Sequence, residues 1–403
     1  MKKIKKIGLF PKLIISIILG IILGSILPET GIKAFATFNG LFSQFLGFAI
    51  PLIILGFVAP GIGDLGTGAG KILALTAGIA YASTVLAGLV AYFANAAILP
   101  MFLTPGSLGA SFGNGSSALA TPFIKIAIPP LMDVMTSLIL AFTVGIGIAV
   151  TNSKTIKSFM NEFQNIITEM ITGIIIPLLP IYIMGTFANM TYAGQVASIL
   201  SVFSKVFILV LLLHFTIIVV QYVIAGSLAG ANPFKLIKTM IPAYFTAIGT
   251  QSSAATIPVT LAQTKKNGVE DGVADFVVPL CATIHLSGST ITLVSCSLAI
   301  MMLNGMNYSF GTFVGFILAL GVTMIAAPGV PGGAVMASLG LLQSMLGFNE
   351  ALTSLMIALY LAQDSFGTAC NITGDGAIAI IINKLSGHKL ESHTEDIEEK
   401  ISA

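Results

Sequence analysis

The chain has 403 residues, of which 56% are hydrophobic and only 8% are charged. A typical soluble domain carries about 25% charged residues and covers its surface with them. The 16 acidic and 18 basic residues of this chain cannot supply such a surface, so most of the exterior must face lipid. The net charge of +2 gives no reason to expect nucleic acid or an acidic protein as a partner.

Every basic side chain is a lysine, because the chain contains no arginine. The guanidinium group of arginine binds a carboxylate through two parallel hydrogen bonds, so this chain cannot bind a substrate carboxylate in that bidentate way. The three cysteines lie in apolar or semi-apolar runs without metal-ligand spacing. That placement is typical of small buried side chains and does not suggest disulfides.

Eight apolar segments reach the length of about 20 residues that a membrane helix needs. The first follows Lys2–Lys6, and it has no clear small-residue cleavage site after it, so we interpret it as a membrane helix with cytoplasmic lysines and not as a signal peptide. Together the segments predict an all-α, multi-pass membrane protein. They lie near 8–28, 36–62, 69–101, 128–150, 164–190, 196–229, 270–304 and 350–383.

Lysine clusters mark the candidate cytoplasmic positions, because short cytoplasmic loops are enriched in basic residues. The Gly- and Ser-rich segment 102–121 is the candidate extracellular loop, and residues 385–403 are expected to form a solvated cytoplasmic tail. The further clusters are Lys154 with Lys157, Lys235 with Lys238, Lys265 with Lys266, and Lys384 with Lys389.

Two further apolar stretches are interrupted by proline and glycine. The first runs from about 234 to 264 and is broken at Gln251–Pro258, and the second runs from about 310 to 346 and is broken at Ala327–Ala334. Lipid cannot satisfy the backbone groups that such breaks free, so they must be buried in protein or line a wet cavity. A pair of interrupted segments is typical of an inverted-repeat transporter, although two loops between ordinary helices would also fit.

The last apolar segment contains a single polar run, from Gln363 to Asp375. At 100° per residue, Thr368, Asn371 and Asp375 lie within about 40° of Asp364, so four polar side chains share one narrow stripe. A carboxylate in the bilayer costs about 2.5–3.5 kcal/mol. No lysine lies within this run or within either break.

The charges of the two aspartates must therefore be neutralised from outside the chain, by sodium, by a proton or by an ammonium group. Carboxylate, amide and backbone carbonyl oxygens suit such hard cations. The alternative is that one or both aspartates are protonated and hold helices together. A further polar break at Thr283–Thr290 predicts an unwound turn, in which His285 is either a hydrogen-bonding residue or a proton carrier.

Taken in order, these motifs resemble the glutamate-transporter-type sodium:dicarboxylate/amino-acid symporter family. Ser252–Thr260 and Gly329–Ala334 are similar to the tips of its two re-entrant hairpins. Thr283–Ser289 sits where the family has Asn-Met-Asp-Gly-Thr, and Asp364–Asp375 matches the signature of its last helix. The Gln-Asp-Ser start of that signature resembles the serine/threonine branch.

The resemblance implies an elevator-type transporter with inverted repeats, eight membrane helices and two re-entrant hairpins, not an enzyme. It further implies a homotrimer in the bacterial inner membrane with both termini in the cytoplasm. Scaffold helices one and two would occupy 1–68, and helices four and five would occupy 122–192. The mobile unit would contain helix three (69–101) and a core over 193–384, made of helix six, hairpin 233–264, helix seven (270–304), hairpin 308–346 and helix eight (350–384).

The same resemblance implies a substrate site and two sodium sites. Asp364 would bind the substrate's α-ammonium group, while Asn371 and Ser253 would hold its α-carboxylate. The rest of the substrate site would be Ser252, Ser289, Pro331, Gly332, Ala334 and Thr368. One sodium ion would bind Asp375 with backbone oxygens of Cys281, His285 and Asn371, and a second would bind backbone oxygens of Thr283, Met324, Ile325 and Ala327.

Departures from the family pattern indicate a neutral substrate and fewer ions. Gly367 and Gln251 stand where acidic-substrate members have arginines, and losing such a charge-assisted pair removes ~1.5–3 kcal/mol. A third sodium site would need an aspartate and an asparagine, which are Ser287 and His285 here, beside the hydroxyls of Ser83 and Thr84.

We therefore expect sodium-coupled symport of a small neutral amino acid such as serine, threonine or alanine. Proton coupling through Asp364 or His285 remains open, as does a dicarboxylate, cystine or another carboxylate as substrate, although Asp364 would repel a carboxylate without an amino group. A channel is disfavoured by the deep single site. An intramembrane aspartyl enzyme needs adjacent carboxylates, whereas eleven helical residues separate these by about 16 Å.

Overall fold

The computed structural model describes residues 9–65, 70–106, 120–194, 196–325, 327 and 331–386. Within these ranges every regular element is a helix and no strand occurs, which confirms the all-α prediction for that part of the chain. The predictions for Lys2–Lys6, for most of the loop 102–121, for 328–330 of the second hairpin and for nearly all of the tail lie outside the described residues.

The described residues of the first half of the chain form six α-helices. The first helix packs against the sixth at glycines, since a Cβ on Gly20 or Gly24 would lie 2.5 or 2.4 Å from a backbone oxygen of the sixth. The helices are α1 (Leu9–Ile26), α2 (Glu29–Leu65), α3 (Gly70–Ile98), α4 (Val134–Thr151), α5 (Lys154–Met170) and α6 (Ile176–Tyr192). A π-helical stretch, Ile171–Ile175, joins α5 to α6, and a 3₁₀ turn, Leu99–Met101, extends α3.

The described residues of the second half form nine α-helices, and the last of these packs against five of the others. They are α7 (Val196–Ala229), α8 (Pro233–Thr250), α9 (Ser253–Lys266), α10 (Asp271–Ile284), α11 (Ser287–Leu303), α12 (Phe310–Ile325), α13 (Gly333–Leu346), α14 (Glu350–Leu361) and α15 (Asp364–Ser386). Helix α15 packs against α7, α8, α9, α10 and α11. Its polar stripe is therefore enclosed by protein on several sides.

The predicted breaks are confirmed. Helices α8 and α9 meet at Gln251, whose left-handed φ of 54° ends α8, and they pack against each other as a hairpin. Helices α12 and α13 form a second hairpin. Helix α10 ends at Ile284 and α11 begins at Ser287, so the chain is unwound between them.

Six stretches of the described chain are long and apolar enough to cross a membrane: Glu29–Pro60, Ile72–Met101, Lys154–Tyr192, Phe203–Ala229, Asp271–Leu303 and Asp364–Ser386. The first and fourth predicted segments contain shorter apolar helices. The fourth begins later than its apolar pattern predicts, because Asp133 caps α4 by accepting a hydrogen bond from the backbone nitrogen of Thr136.

The structure also corrects the last segment. The single helix predicted over 350–383 is two helices, because the chain turns at Ala362 and Gln363. The backbone N–H of Gln363 donates to Tyr360 only three residues back, and the Gln363 carbonyl accepts from the first turn of α15. Asp364 consequently stands at the first position of its helix.

Candidate functional site

The four polar residues of the α15 stripe are all buried: Asp364, Thr368, Asn371 and Asp375 have exposed fractions of 6% or less. Asp364 contacts the start of α13, Asn371 contacts the start of α11, and Asp375 contacts the turn between α10 and α11. The predicted polar stripe therefore faces the ends of other helices and the turn between α10 and α11.

Asp364 is bound to the tip of the α12–α13 hairpin. Its Oδ2 accepts a 2.7 Å hydrogen bond from the backbone nitrogen of Gly332. Gly332 has a left-handed φ of 76°, and a Cβ there would lie 2.8 Å from Cδ2 of Leu361. Only glycine suits this position on both grounds. Gly332, directly before α13, is therefore in contact with the aspartate.

Asn371 holds the beginning of α11. Its Oδ1 accepts from the backbone nitrogens of Gly288 (2.7 Å) and Ser289 (3.2 Å), and its Nδ2 donates to Oγ of Ser289 at 3.0 Å. The Tyr360 hydroxyl donates to the same Oγ at 3.0 Å. These contacts satisfy backbone donors that the unwound turn would otherwise leave unpaired.

The remaining predicted substrate residues lie at helix beginnings. Ser252 caps α9 by accepting from the backbone nitrogen of Ala255 at 3.3 Å, and Ser253 is the buried first residue of that helix. Pro331 is half-buried directly before Gly332, and Ala334 is buried in the first turn of α13. Helix N-termini carry partial positive charge and suit a carboxylate group.

Asp375 is completely buried and has only one oxygen engaged. Its Oδ1 lies 2.9 Å from Nδ1 of His285, and both side chains are 0% exposed. Because a carboxylate only accepts, Nδ1 of the imidazole carries the hydrogen in this pair. Oδ2 has no hydrogen-bond partner among the described residues. An anionic oxygen left unpaired in a dry interior calls for a cation.

The structure places the residues of the two predicted sodium sites at or near helix ends. The Asp375 carboxylate contacts His285 at the C-terminal end of α10, where the backbone nitrogen of His285 donates to the carbonyl oxygen of Cys281 at 2.9 Å. The second set lies at the ends of α10 and α12, two helices in contact, in Thr283, Met324, Ile325 and Ala327. Helix C-terminal ends carry partial negative charge, which suits sodium. The carbonyl oxygens of Cys281 and Met324 already accept hydrogen bonds from the backbone nitrogens of His285 and Ala327, so an ion there would share these oxygens with backbone donors.

The third predicted set does not fit a cation. The side-chain nitrogen of Gln221 donates to Oγ of Ser83 at 2.9 Å and to Oγ of Ser287 at 3.3 Å. The Thr84 hydroxyl is buried and has no hydrogen-bond partner in the described part of the chain. A protonated amide nitrogen does not ligate a metal ion, so the hydroxyl oxygens of Ser83 and Ser287 face a hydrogen-bond donor in place of a cation.

Two residues of α7 belong to the site although the sequence interpretation omits them. Gln221 contacts the His285 region, and Nε2 of His214 lies 3.0 Å from the carbonyl oxygen of Gly288. Their spacing in the sequence could have identified them, because polar residues seven positions apart in an apolar helix lie on the same face. Tyr360 of α14 is a third addition, through its bond to Ser289.

The comparisons with known proteins agree with this geometry. The serine/threonine transporter SstT of Acinetobacter baumannii (strain AYE) is 26% identical over 387 residues, which cover 92% of this chain and 95% of that protein. Excitatory amino acid transporter 1 of Mus musculus is 26% identical over 304 residues, 72% of this chain and 55% of that protein. The sodium:dicarboxylate symporter family model matches residues 9–385. The chain therefore belongs to the sodium:dicarboxylate symporter family and is a multi-pass membrane transporter, not an enzyme.

Proposed function

We propose that this protein couples the uptake of a small neutral amino acid, such as serine, threonine or alanine, to sodium. The observation that carries the proposal is the unpaired Oδ2 of Asp375, on the same face of α15 as Asp364. One carboxylate accounts for an ion and the other for a substrate ammonium group. The serine/threonine transporters among the relatives support this substrate class.

The shape of the site supports a substrate without a side-chain charge. A Cβ on Gly367 would lie 3.5 Å from the backbone nitrogen of Ser289, so the backbones of α11 and α15 approach closely at this point. The chain supplies no arginine to bind a second carboxylate. Asp364 would attract the ammonium group, and the starts of α9 and α13 would attract the α-carboxylate.

Asn371 explains how the ion and the substrate could depend on each other. It lies between Asp364 and Asp375 on α15 and holds the backbone of Gly288 and Ser289. Sodium supplies positive charge beside Asp375, and this stabilises the arrangement in which Asn371 meets the substrate. Ordering one side chain that serves both ligands produces positive coupling between them.

The division into a scaffold (1–68 and 122–192) and a mobile unit (69–101 and 193–384) belongs to the same proposal, as do a homotrimer, a bacterial inner membrane and cytoplasmic termini. Polar contacts between the proposed scaffold and the proposed mobile unit support this division, since hydrogen bonds between two parts can break and re-form with new partners when one part moves. Gln44 of α2 donates to Glu350 of α14 at 2.7 Å, and Tyr182 of α6 bonds Ser354 of α14. A cavity of about 670 Å³ also opens between α2, α6 and α14, away from the aspartates.

The test is uptake of labelled serine by proteoliposomes under a sodium gradient. Asp375→Asn should abolish this uptake, whereas Asp271→Asn, which alters an exposed carboxylate paired with Lys265, should leave it intact. Uptake that needs a pH gradient and not sodium would establish proton coupling instead. Competition by succinate but not by serine would establish a carboxylate substrate.

A further inference from the structure

A cluster of polar side chains without a carboxylate lies directly beside Asp375. It consists of Ser83 of α3, Gln221 of α7, His285 of the unwound turn and Ser287 of α11. The exposed fractions of Gln221, His285 and Ser287 are 6%, 1% and 0%. The side-chain nitrogen of Gln221 donates to the hydroxyl oxygens of Ser83 and Ser287 and lies 3.3 Å from Nε2 of His285.

The orientation of the Gln221 amide follows from its neighbours. Nδ1 of His285 faces Asp375, so Nε2 of the ring faces the cluster, 3.3 Å from Nε2 of Gln221 and 3.1 Å from Oγ of Ser83. The amide oxygen packs against α15, where a Cβ on Gly374 would lie 2.6 Å from it, and it has no hydrogen-bond partner among the described residues. The amide nitrogen is thus held at the centre of the cluster.

The charges of the interior lead to the same conclusion. Among residues whose burial is described, Asp364 and Asp375 are the only buried acidic side chains, and no lysine is buried. A zwitterionic amino acid adds no net charge, so two sodium ions balance the charges of the two carboxylates. A third sodium ion would be a buried charge without a counter-charge, which is strongly unfavourable.

We propose that the side-chain amide of Gln221 takes the place of a third cation, so that the transporter binds two sodium ions with each neutral amino acid. The two N–H groups of the amide point at the oxygens of Ser83 and Ser287 that would otherwise face an ion, while the Ser83 hydroxyl lies 3.1 Å from Nε2 of His285. The number of ions rests on the proposed function, whereas the role of the amide can be tested by ion binding alone.

The decisive variant is Gln221→Glu, which replaces the amide nitrogen by an oxygen and adds one negative charge at nearly constant volume. It should create the missing cation site. Gln221→Leu is the matched control, because it removes the amide without adding a charge. Two readouts apply to the purified protein: the rise in melting temperature with sodium, using choline as the reference, and the sodium dependence of serine affinity by calorimetry.

At sodium concentrations well below saturation, serine affinity in the wild type should rise about 100-fold for each tenfold increase in sodium, and about 1,000-fold in Gln221→Glu. Gln221→Leu should show the wild-type dependence or a weaker one. Sodium should also raise the melting temperature of Gln221→Glu more than that of the wild type, without any substrate present.

A Gln221→Glu protein with wild-type sodium dependence in both readouts would overturn the proposal, and so would a wild type that binds three ions. A wild type whose serine binding ignores sodium would refute the proposed function, while the melting-temperature comparison would still decide the role of the amide. If Gln221→Glu does not fold, Ser287→Asp places a carboxylate on the opposite side of the same amide. The same additional sodium effect is expected there, and its absence would count against the proposal.

Discussion

The backbone nitrogen of Gly332 donates a 2.7 Å hydrogen bond to Oδ2 of Asp364, so the tip of the α12–α13 hairpin rests on the carboxylate proposed to bind the substrate's ammonium group. A substrate that reaches Asp364 therefore meets the hairpin tip at the same time. The Asp364 side chain would therefore take part both in the contact with Gly332 of the hairpin and in the proposed binding of the ammonium group.

This contact predicts a specific effect of Gly332→Ala. The left-handed φ disfavours a Cβ by about 1 kcal/mol, and the added methyl would also meet Leu361 at 2.8 Å. We expect weaker serine binding by calorimetry, because the tip can no longer seat on Asp364. Gly347→Ala is the control, since Gly347 has a φ of 71° and a Cβ there would make only an ordinary contact at 3.8 Å. Equal loss of serine binding in both variants would contradict the role of the tip.

The two aspartates should have separable functions. Asp364→Asn removes a charge-assisted bond to the substrate, so serine affinity should fall at least about tenfold. The sodium-dependent rise in melting temperature should persist, because Asp375 and its unpaired oxygen are unchanged. Asp375→Asn should instead lose the sodium effect. Thermal-shift measurements with and without sodium distinguish the two, and loss of both responses in Asp364→Asn would argue against separate sites.

Asn371→Ala should destabilise the protein and uncouple the ligands. It leaves the backbone nitrogens of Gly288 and Ser289 without their acceptor, which costs about 1–3 kcal/mol for a buried donor. Serine affinity should then depend less steeply on sodium concentration. Asn371→Asp retains the acceptor and should recover more of the stability than of the coupling. An alanine variant with wild-type stability and sodium dependence would exclude this role.

Tyr182→Phe should change the rate of transport and spare substrate affinity. The Tyr182 hydroxyl bonds Ser354 of α14 and lies 3.1 Å from Oγ of Ser43 in α2. Removing a bond worth ~0.5–1.5 kcal/mol between the two proposed parts should speed departure from this arrangement by up to about tenfold. Initial rates of serine uptake across substrate concentrations measure both quantities. A changed KM with an unchanged maximal rate would contradict the assignment of Tyr182 to a moving interface.

Helical periodicity was sufficient to predict the stripe on α15, because four polar residues at spacings of four, three and four can only lie on one face. The breaks at Gln251 and at His285 were also readable, since glycine, proline and hydroxyl residues interrupt apolar runs there. Individual side-chain partners were not readable. The pairing of His285 with Asp375 joins residues 90 positions apart and follows from helix packing alone.

The sequence interpretation missed the turn at Ala362 and Gln363 and the role of Gln221, in both cases because hydropathy does not report specific hydrogen bonds. The turn at Ala362 and Gln363 was hidden because apolar residues surround it, and its hydrogen bonds to Tyr360 and Gly367 depend on local geometry and not on hydropathy. Gln221 was overlooked because α7 has the hydropathy of an ordinary membrane helix. The role proposed for Gln221 follows from the contacts of its amide nitrogen with Ser83 and Ser287, which are distant in the sequence.

Gly288 is held from two directions: its nitrogen donates to Asn371 of α15, and its carbonyl oxygen accepts from His214 of α7. A Cβ on this residue would lie 2.5 Å from the carbonyl oxygen of Gly367, so no larger residue fits between the helices. Gly288 therefore connects helices α7, α11 and α15 through hydrogen bonds to its own backbone nitrogen and carbonyl oxygen. In the proposed mobile unit, a displacement of α7, α11 or α15 alone would break these contacts, so we expect the three helices to move together.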